Sequence, residues 1–272
     1  MTLWVNGEIV AADAAVVRAD DHGLVVGDGV FETCEVNDGV VFALTRHLRR
    51  LRDSAAGLGI DVDEAYIRKG VDAVLVDRPH HARLRITVTG GPSPYGSERG
   101  GGPPTVLVAT GTMHRWPATT DVAVVPWVRN ERSATAGLKT TSYADNVVAL
   151  AWAHEHAAEE AIFANTRGEL CEGTGSNVFV AHHGILVTPP LRSGCLGGIT
   201  RELLLEWCPD IEERTVSIGA LAEAREAFIT STTRSVLAIR AVNGAALPEA
   251  PGPLTRRAAE TFARHAAENA DP

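Results

Sequence analysis

The chain is expected to fold as an α+β protein of two domains, and three observations predict it. Two turn dipeptides, Asn6-Gly7 and Asp38-Gly39, sit between strand-like apolar patterns. Such pairs mark hairpins because they accept positive φ. Apolar residues then recur at helical spacing, and composition breaks across 111–120, which holds Pro117, before a new buried-strand pattern begins. Hairpins followed by packed helices indicate α+β rather than a regular βαβ series. The break separates a small α+β N-terminal domain, residues 1–116, from a larger C-terminal domain, residues 117–272.

Taken in order, 3–5 and 8–10 form the opening hairpin, and 29–37 and 40–44 the second. Leu48, Leu51, Ala55 and Leu58 place a helix over 45–58, with Thr45 as its N-cap. Ile67, Val71 and Val74 place another over 63–76. Strands at 83–89 and 105–110 enclose a Gly/Pro-rich loop, 90–104. In the second half, strands are expected at 121–127, 160–164, 176–181, 211–216, 227–231 and 236–242. Helices are expected at 144–156, 200–207 and 254–267.

The 272 residues carry 45% hydrophobic and 22% charged side chains, with a formal charge of −9 and a pI near 5.6. An acidic chain of ordinary hydrophobicity points away from nucleic acid and anionic membranes. No apolar run is as long as a membrane span, and the first residues lack a basic region followed by an apolar one. A cytoplasmic location is expected. Cys34, Cys171, Cys195 and Cys208 form no CxxC pair, so they read as free thiols rather than zinc ligands or disulfides. His154/His156 and His182-His183 read as helix surface and turn, and no metal is expected.

Lysine is nearly absent: Lys69 and Lys139 stand among 25 Lys+Arg. Lys69 lies in an ordinary amphipathic stretch. Lys139 lies in a polar run, Ala136-Gly137-Leu138-Lys139-Thr140-Thr141-Ser142-Tyr143. A desolvated lysine can lose its proton and attack a carbonyl, whereas guanidinium stays charged. Three further segments accompany it. Glu172-Gly173-Thr174-Gly175-Ser176-Asn177 puts a carboxylate before a Gly-rich turn. Gly197-Gly198-Ile199-Thr200-Arg201 puts amides and a hydroxyl at a helix start, which suits phosphate. Ser231-Thr232-Thr233 ends a strand with consecutive hydroxyls. Singly, each has a plainer reading as a turn, helix start or surface residue. Together they are the parts pyridoxal 5'-phosphate needs: an amine for the aldehyde, an anion for the ring nitrogen and donors for the phosphate.

In that order these segments resemble the class IV aminotransferases, the fold-type IV pyridoxal-phosphate enzymes. Trp4-Val5-Asn6-Gly7, Gly27-Asp28-Gly29-Val30-Phe31-Glu32 and His47-Leu48-Arg49-Arg50-Leu51 extend the resemblance to the first half. It implies that Lys139 is the Schiff-base lysine and Glu172 the partner of the pyridinium nitrogen. Arg50, Gly198, Ile199, Thr200, Ser231 and Thr232 would bind the phosphate. Tyr143, Ser176 and Asn177 would lie near the cofactor, Asn177 holding the turn.

The resemblance implies an aminotransferase that moves an amino group between an amino acid, of the D series, or a primary amine and a 2-keto acid. Its alternative is a 4-amino-4-deoxychorismate lyase, which expels pyruvate and forms 4-aminobenzoate. A homodimer is implied too. The family's tyrosine and Arg-x-His trap for a D-amino-acid carboxylate is missing: Phe31 stands at one place, Tyr95 and Ser97 at the other. Arg99 is expected as a substitute clamp, with Phe31, Tyr95 and Thr233 facing substrate, and activity on ordinary D-amino acids should be weak. A Rossmann dehydrogenase would need GxGxxG leading into a helix, and a serine hydrolase GxSxG; neither motif is present.

Overall fold

The computed structural model describes every residue but Ala15 and divides into two compact units. The first holds Met1–His114, Leu138–Tyr143 and Ala270–Pro272; the second holds Arg115–Gly137 and Ala144–Asn269.

In the first unit the elements are β1 (Thr2–Val5), β2 (Glu8–Val10), α1 (His22–Val25), β3 (Gly29–Asn37), β4 (Val40–Val41), α2 (Leu44–Leu58), α3 (Glu64–Val74), β5 (His81–Thr89) and β6 (Thr105–Thr112). The strands form one sheet in the order β2-β1-β6-β5-β3-β4, with every pair antiparallel. Both turn dipeptides take positive φ throughout, 47° and 106° at Asn6-Gly7 and 51° and 78° at Asp38-Gly39. Strand alternation sends Val30, Cys34, Val36, Leu84, Ile86 and Val88 to a core shared with Leu48, Leu51, Ile67 and Val71 of the helices. Burial of each large side chain contributes about 2 kcal/mol. The other face of β3 and β5 carries Phe31, Thr33, Arg85 and Thr87, with Phe31 opposite Thr87 and Thr33 opposite Arg85.

Thr45 is not the N-cap of α2. Ala43 holds that position with φ 53°, and no side chain of its own turn caps it. Instead Asp271, 226 residues away, accepts from the Thr45 N–H at 2.9 Å and its hydroxyl at 2.6 Å. The Ala43 N–H donates to the Ala270 carbonyl at 2.7 Å. The tail 270–272 thus performs the capping that a local Ser, Thr or Asp normally performs.

The second unit runs β7 (Thr119–Arg129), α4 (Ala144–Glu155), β8 (Glu160–Asn165), β9 (Leu170–Gly173), β10 (Asn177–His182), β11 (Ile185–Thr188), a 3₁₀ turn (Leu191–Ser193), α5 (Ile199–Trp207), β12 (Glu212–Glu213), α6 (Gly219–Glu223), β13 (Ala227–Ser231), β14 (Ser235–Val242), β15 (Ala245–Ala246) and α7 (Pro253–Glu268). The nine-stranded sheet has the order β12-β11-β10-β13-β14-β7-β8-β9, with β15 beside β14. β7, α4 and β8 make a parallel crossover, as do β11, α5 and β12, and β14 also runs parallel to β7. The strand expected at 211–216 shrinks to Glu212–Glu213 against β11. Among the described residues, no helix is long and apolar enough to cross a membrane.

Candidate active site

In the first unit, the segment bearing Lys139 is bound to β3 and α2 through its backbone. The Phe31 N–H donates to the Lys139 carbonyl at 3.1 Å and the Thr141 N–H to the Gly29 carbonyl at 2.8 Å. The Lys139 N–H donates to Ser54 Oγ at 3.1 Å. The side chain is half-buried, with Nζ 4.0 Å from the Phe31 ring centroid and 5.9 Å from that of Tyr143. Those rings meet edge to face at 5.2 Å. An amine set against aromatic rings is partly desolvated, as a nucleophilic lysine requires.

The Phe31 ring also carries a guanidinium, with Arg85 Cζ 3.4 Å from its centroid. Arg85 donates to the Thr87 and Thr33 hydroxyls at 3.2 and 3.5 Å and has no ion pair among the described residues. Burial lowers its pKa to about 10. A half-buried cation lacking an anion is unfavourable by itself, so it suits an anionic ligand.

On the core face of β3, Glu32 is fully buried. Arg50 grips it with Nε and Nη2 at 2.7 Å each, and His47 Nδ1 lies 2.7 Å from Oε2. Burial pushes the carboxyl up, but Arg50 and then His47 override it and hold Glu32 well below the usual carboxylate range. Burial lowers His47 in turn, and Glu32 only partly restores it. His47 is therefore neutral at pH 7, and its Nδ1–H donates to Glu32 while Arg50 bears the counter-charge. Spacing i, i+3 on α2 sets both partners over one carboxylate.

In the second unit, Glu172 lies in β9, just before the turn at 174–176. Its Oε1 accepts from Arg129 Nε at 3.0 Å and its Oε2 from the Leu196 N–H at 2.9 Å. Asn177 donates to the Leu196 carbonyl at 2.8 Å. A Cβ at Gly198 would lie 2.0 Å from Asn177 Oδ1, so only glycine fits there. α5 starts at Ile199 without a side-chain cap, and uncapped first-turn amides can receive an anion. Thr200 is buried, and Ser231, Thr232 and Thr233 line the β13–β14 turn. The sheet sets Asn177 opposite Thr230, so these segments share one end of the second unit. An amine, a carboxylate and an uncapped helix start make a donor set that fits pyridoxal phosphate.

The model for class IV aminotransferases matches residues 29–242. The chain belongs to this family. This aminotransferase is 32% identical to the D-alanine aminotransferase of Bacillus licheniformis over 94% of both chains. It resembles the solved branched-chain aminotransferase of Thermoproteus uzoniensis, crystallised with norvaline, at 28% identity and TM-score 0.90, covering 97% of this chain and 94% of that one. It also resembles a pyridoxal-phosphate-bound hypothetical aminotransferase of Mycobacterium tuberculosis at 26% identity and TM-score 0.87, covering 100% of each. The fold is that of fold-type IV enzymes, and the aminotransferase depends on pyridoxal phosphate.

Two residues expected at the substrate have these surroundings in the first unit. Arg99 Nε and Nη2 grip Asp28 at 2.6 Å each, and Nη2 and Nη1 donate to the Leu58 and Gly59 carbonyls at 2.7 and 2.8 Å. Four of its five N–H groups tie the 90–104 loop to Asp28 and the end of α2. Tyr95 is 77% exposed. Arg85 and Arg129 escaped the sequence reading, and Glu32 and His47 entered it only inside motifs, without roles. The sequence signal for Arg85 is alternation: counting by twos along β5 from Thr87 puts it on the face of Phe31.

Proposed function

We infer that this aminotransferase takes an amino acid of the D series as donor and a 2-keto acid as acceptor, with Arg85 holding the substrate carboxylate. The observation carrying this reading is the Phe31 ring, which bears the Arg85 guanidinium at 3.4 Å and Lys139 Nζ at 4.0 Å. A carboxylate on Arg85 would bring the adjacent amine-bearing carbon towards Lys139. It would also replace the trap that Tyr95 and Ser97 do not supply.

Pyridoxal phosphate supplies an aldehyde that takes up amines and a ring that accepts an electron pair. Lys139 would hold that aldehyde through its side-chain amine. Its Nζ would serve as the base that takes the proton from the amine-bearing carbon and as the acid that returns it. Glu172, balanced by Arg129, would face the ring nitrogen. Arg50, Ile199, Thr200, Ser231 and Thr232 would hold the phosphate. Gly198, Ser176 and Asn177 shape the turn around it, and Tyr143 flanks Lys139. Phe31 and Thr233 border the substrate. The homodimer and the cytoplasmic location belong to the same reading, and the dimer is checked by light scattering.

The likeness to the branched-chain aminotransferase crystallised with norvaline favours an aliphatic amino acid such as norvaline, with either configuration open, as second reading. A half-reaction panel tests both: D- and L-alanine, D- and L-norvaline, (R)-1-phenylethylamine and aminodeoxychorismate, each followed by loss of visible absorption. Bleaching by the D isomers supports the D series, and bleaching by the L isomers alone overturns it. Release of 4-aminobenzoate and pyruvate moves the assignment to the lyase.

A further inference from the structure

Glu160 opens β8 and is fully buried, and none of the cofactor roles above falls to it. Its Oε1 accepts from the Thr174 N–H at 3.0 Å and from the Thr174 hydroxyl. Its Oε2 accepts from the Ser176 hydroxyl at 3.1 Å and from Nη1 of Arg234. Thr174 and Ser176 form the turn after Glu172, and Arg234 follows the Ser231–Thr233 hydroxyls. One carboxylate therefore joins two turns that are distant in sequence. Packing around it is tight: a Cβ on Gly173 would lie 2.3 Å from Ser176 Oγ and 3.2 Å from Glu160 Cδ. Asn146 donates to the Thr174 carbonyl and accepts at 3.0 Å from Arg129, the partner of Glu172. Trp116 holds the other end, its ring 4.2 Å from Arg234 Cζ.

We propose that Glu160 is a positioning residue: paired with Arg234, it fixes the Glu172 turn against the Ser231–Thr233 turn, and so sets the distance at which the ring nitrogen and the phosphate of the cofactor are held. A buried ion pair is unfavourable unless its hydrogen bonds are satisfied. Here the satisfying donors are those of the two turns, so pairing and placement are one event. The proposal rests on the cofactor roles inferred for those turns.

The test is pyridoxal-phosphate titration of the full-length protein, followed by visible absorption, beside thermal melting. It compares wild type, Glu160→Gln and the double variant E160Q/R234M, which leaves no unpaired buried charge. Both variants are expected to bind roughly tenfold or more weakly, because a small misplacement of converging groups is costly. The pH dependence of their visible band should also shift, while the double variant melts close to wild type. A merely structural role moves the melting temperature alone. Wild-type affinity and spectrum in either folded variant overturn the proposal. A wild-type protein whose cofactor binding is insensitive to E172Q and T232V overturns the underlying turn assignments instead.

Discussion

Arg50 and Glu32 are joined by two parallel 2.7 Å hydrogen bonds inside the first unit, Nε to Oε1 and Nη2 to Oε2. With His47 on Oε2, this makes a buried triad whose folded protonation differs from that of the unfolded chain. His47 is lowered, chiefly by burial. Glu32 is lowered because Arg50 and His47 outweigh its burial. Both shifts mean that the native state binds fewer protons in acid, so stability falls as pH falls. His47 contributes to that loss below about pH 6.5 and Glu32 below about pH 4.3. H47Q is expected to flatten the first phase. E32Q should lose about 3 kcal/mol or more at pH 7, with the gap to wild type narrowing as pH falls from about 4.3. Denaturant melts across pH check this; a gap independent of pH would refute the role of the triad.

Lys139 is expected to be the point of covalent attachment. The purified protein should be yellow, and borohydride followed by peptide mapping should find the cofactor on Lys139. K139R keeps the charge but lacks the reactive amine, so mapping should then recover no labelled peptide. Label on Lys69 would contradict the assignment.

Loss of Arg85 should separate substrates that carry a carboxylate from those that do not. R85A is expected to reduce kcat/KM for an amino acid by roughly 10–100-fold through a higher KM, as one charge-assisted pair is removed. Turnover of a primary amine without a carboxylate should change little. Equal losses on both substrates would show that Arg85 shapes the Phe31 site without contacting the carboxylate.

Arg99 should behave differently. Its donors are taken by Asp28, Leu58 and Gly59, so R99A should free the 90–104 loop and leave substrate KM near wild type. Limited proteolysis reads the first effect, with new cleavage expected between residues 90 and 104. A large rise in KM with no new cleavage would restore the clamp that the sequence suggested.

Much of this was legible beforehand. Asn6-Gly7 and Asp38-Gly39 announced their hairpins because few other pairs tolerate two positive φ values in succession. The long helices declared themselves through periodicity, and α5 through Gly198 and Thr200. The four-residue β9 and β11 did not, since such short strands borrow their conformation from neighbours. Thr45 misled because the true cap lies 226 residues along the chain. Pattern reading also names residue types without pairing them: Arg99 and Arg85 look alike in sequence, and only the carboxylate beside one separates them. Glu160 and Arg234 were invisible for the same reason.

The capping of α2 by Asp271 and Ala270 bears on the order in which the protein matures. The helix bearing Arg50 emerges from the ribosome early, yet its start stays unsecured until residues 270–272 are synthesised. Residues 138–143, with the reactive lysine, likewise join the first unit only after β7 has been made. An N-terminal fragment ending at residue 114 would lack both pieces. The first unit is thus assembled from three separate stretches of chain, and α2 gains its cap only once the third of them has been made.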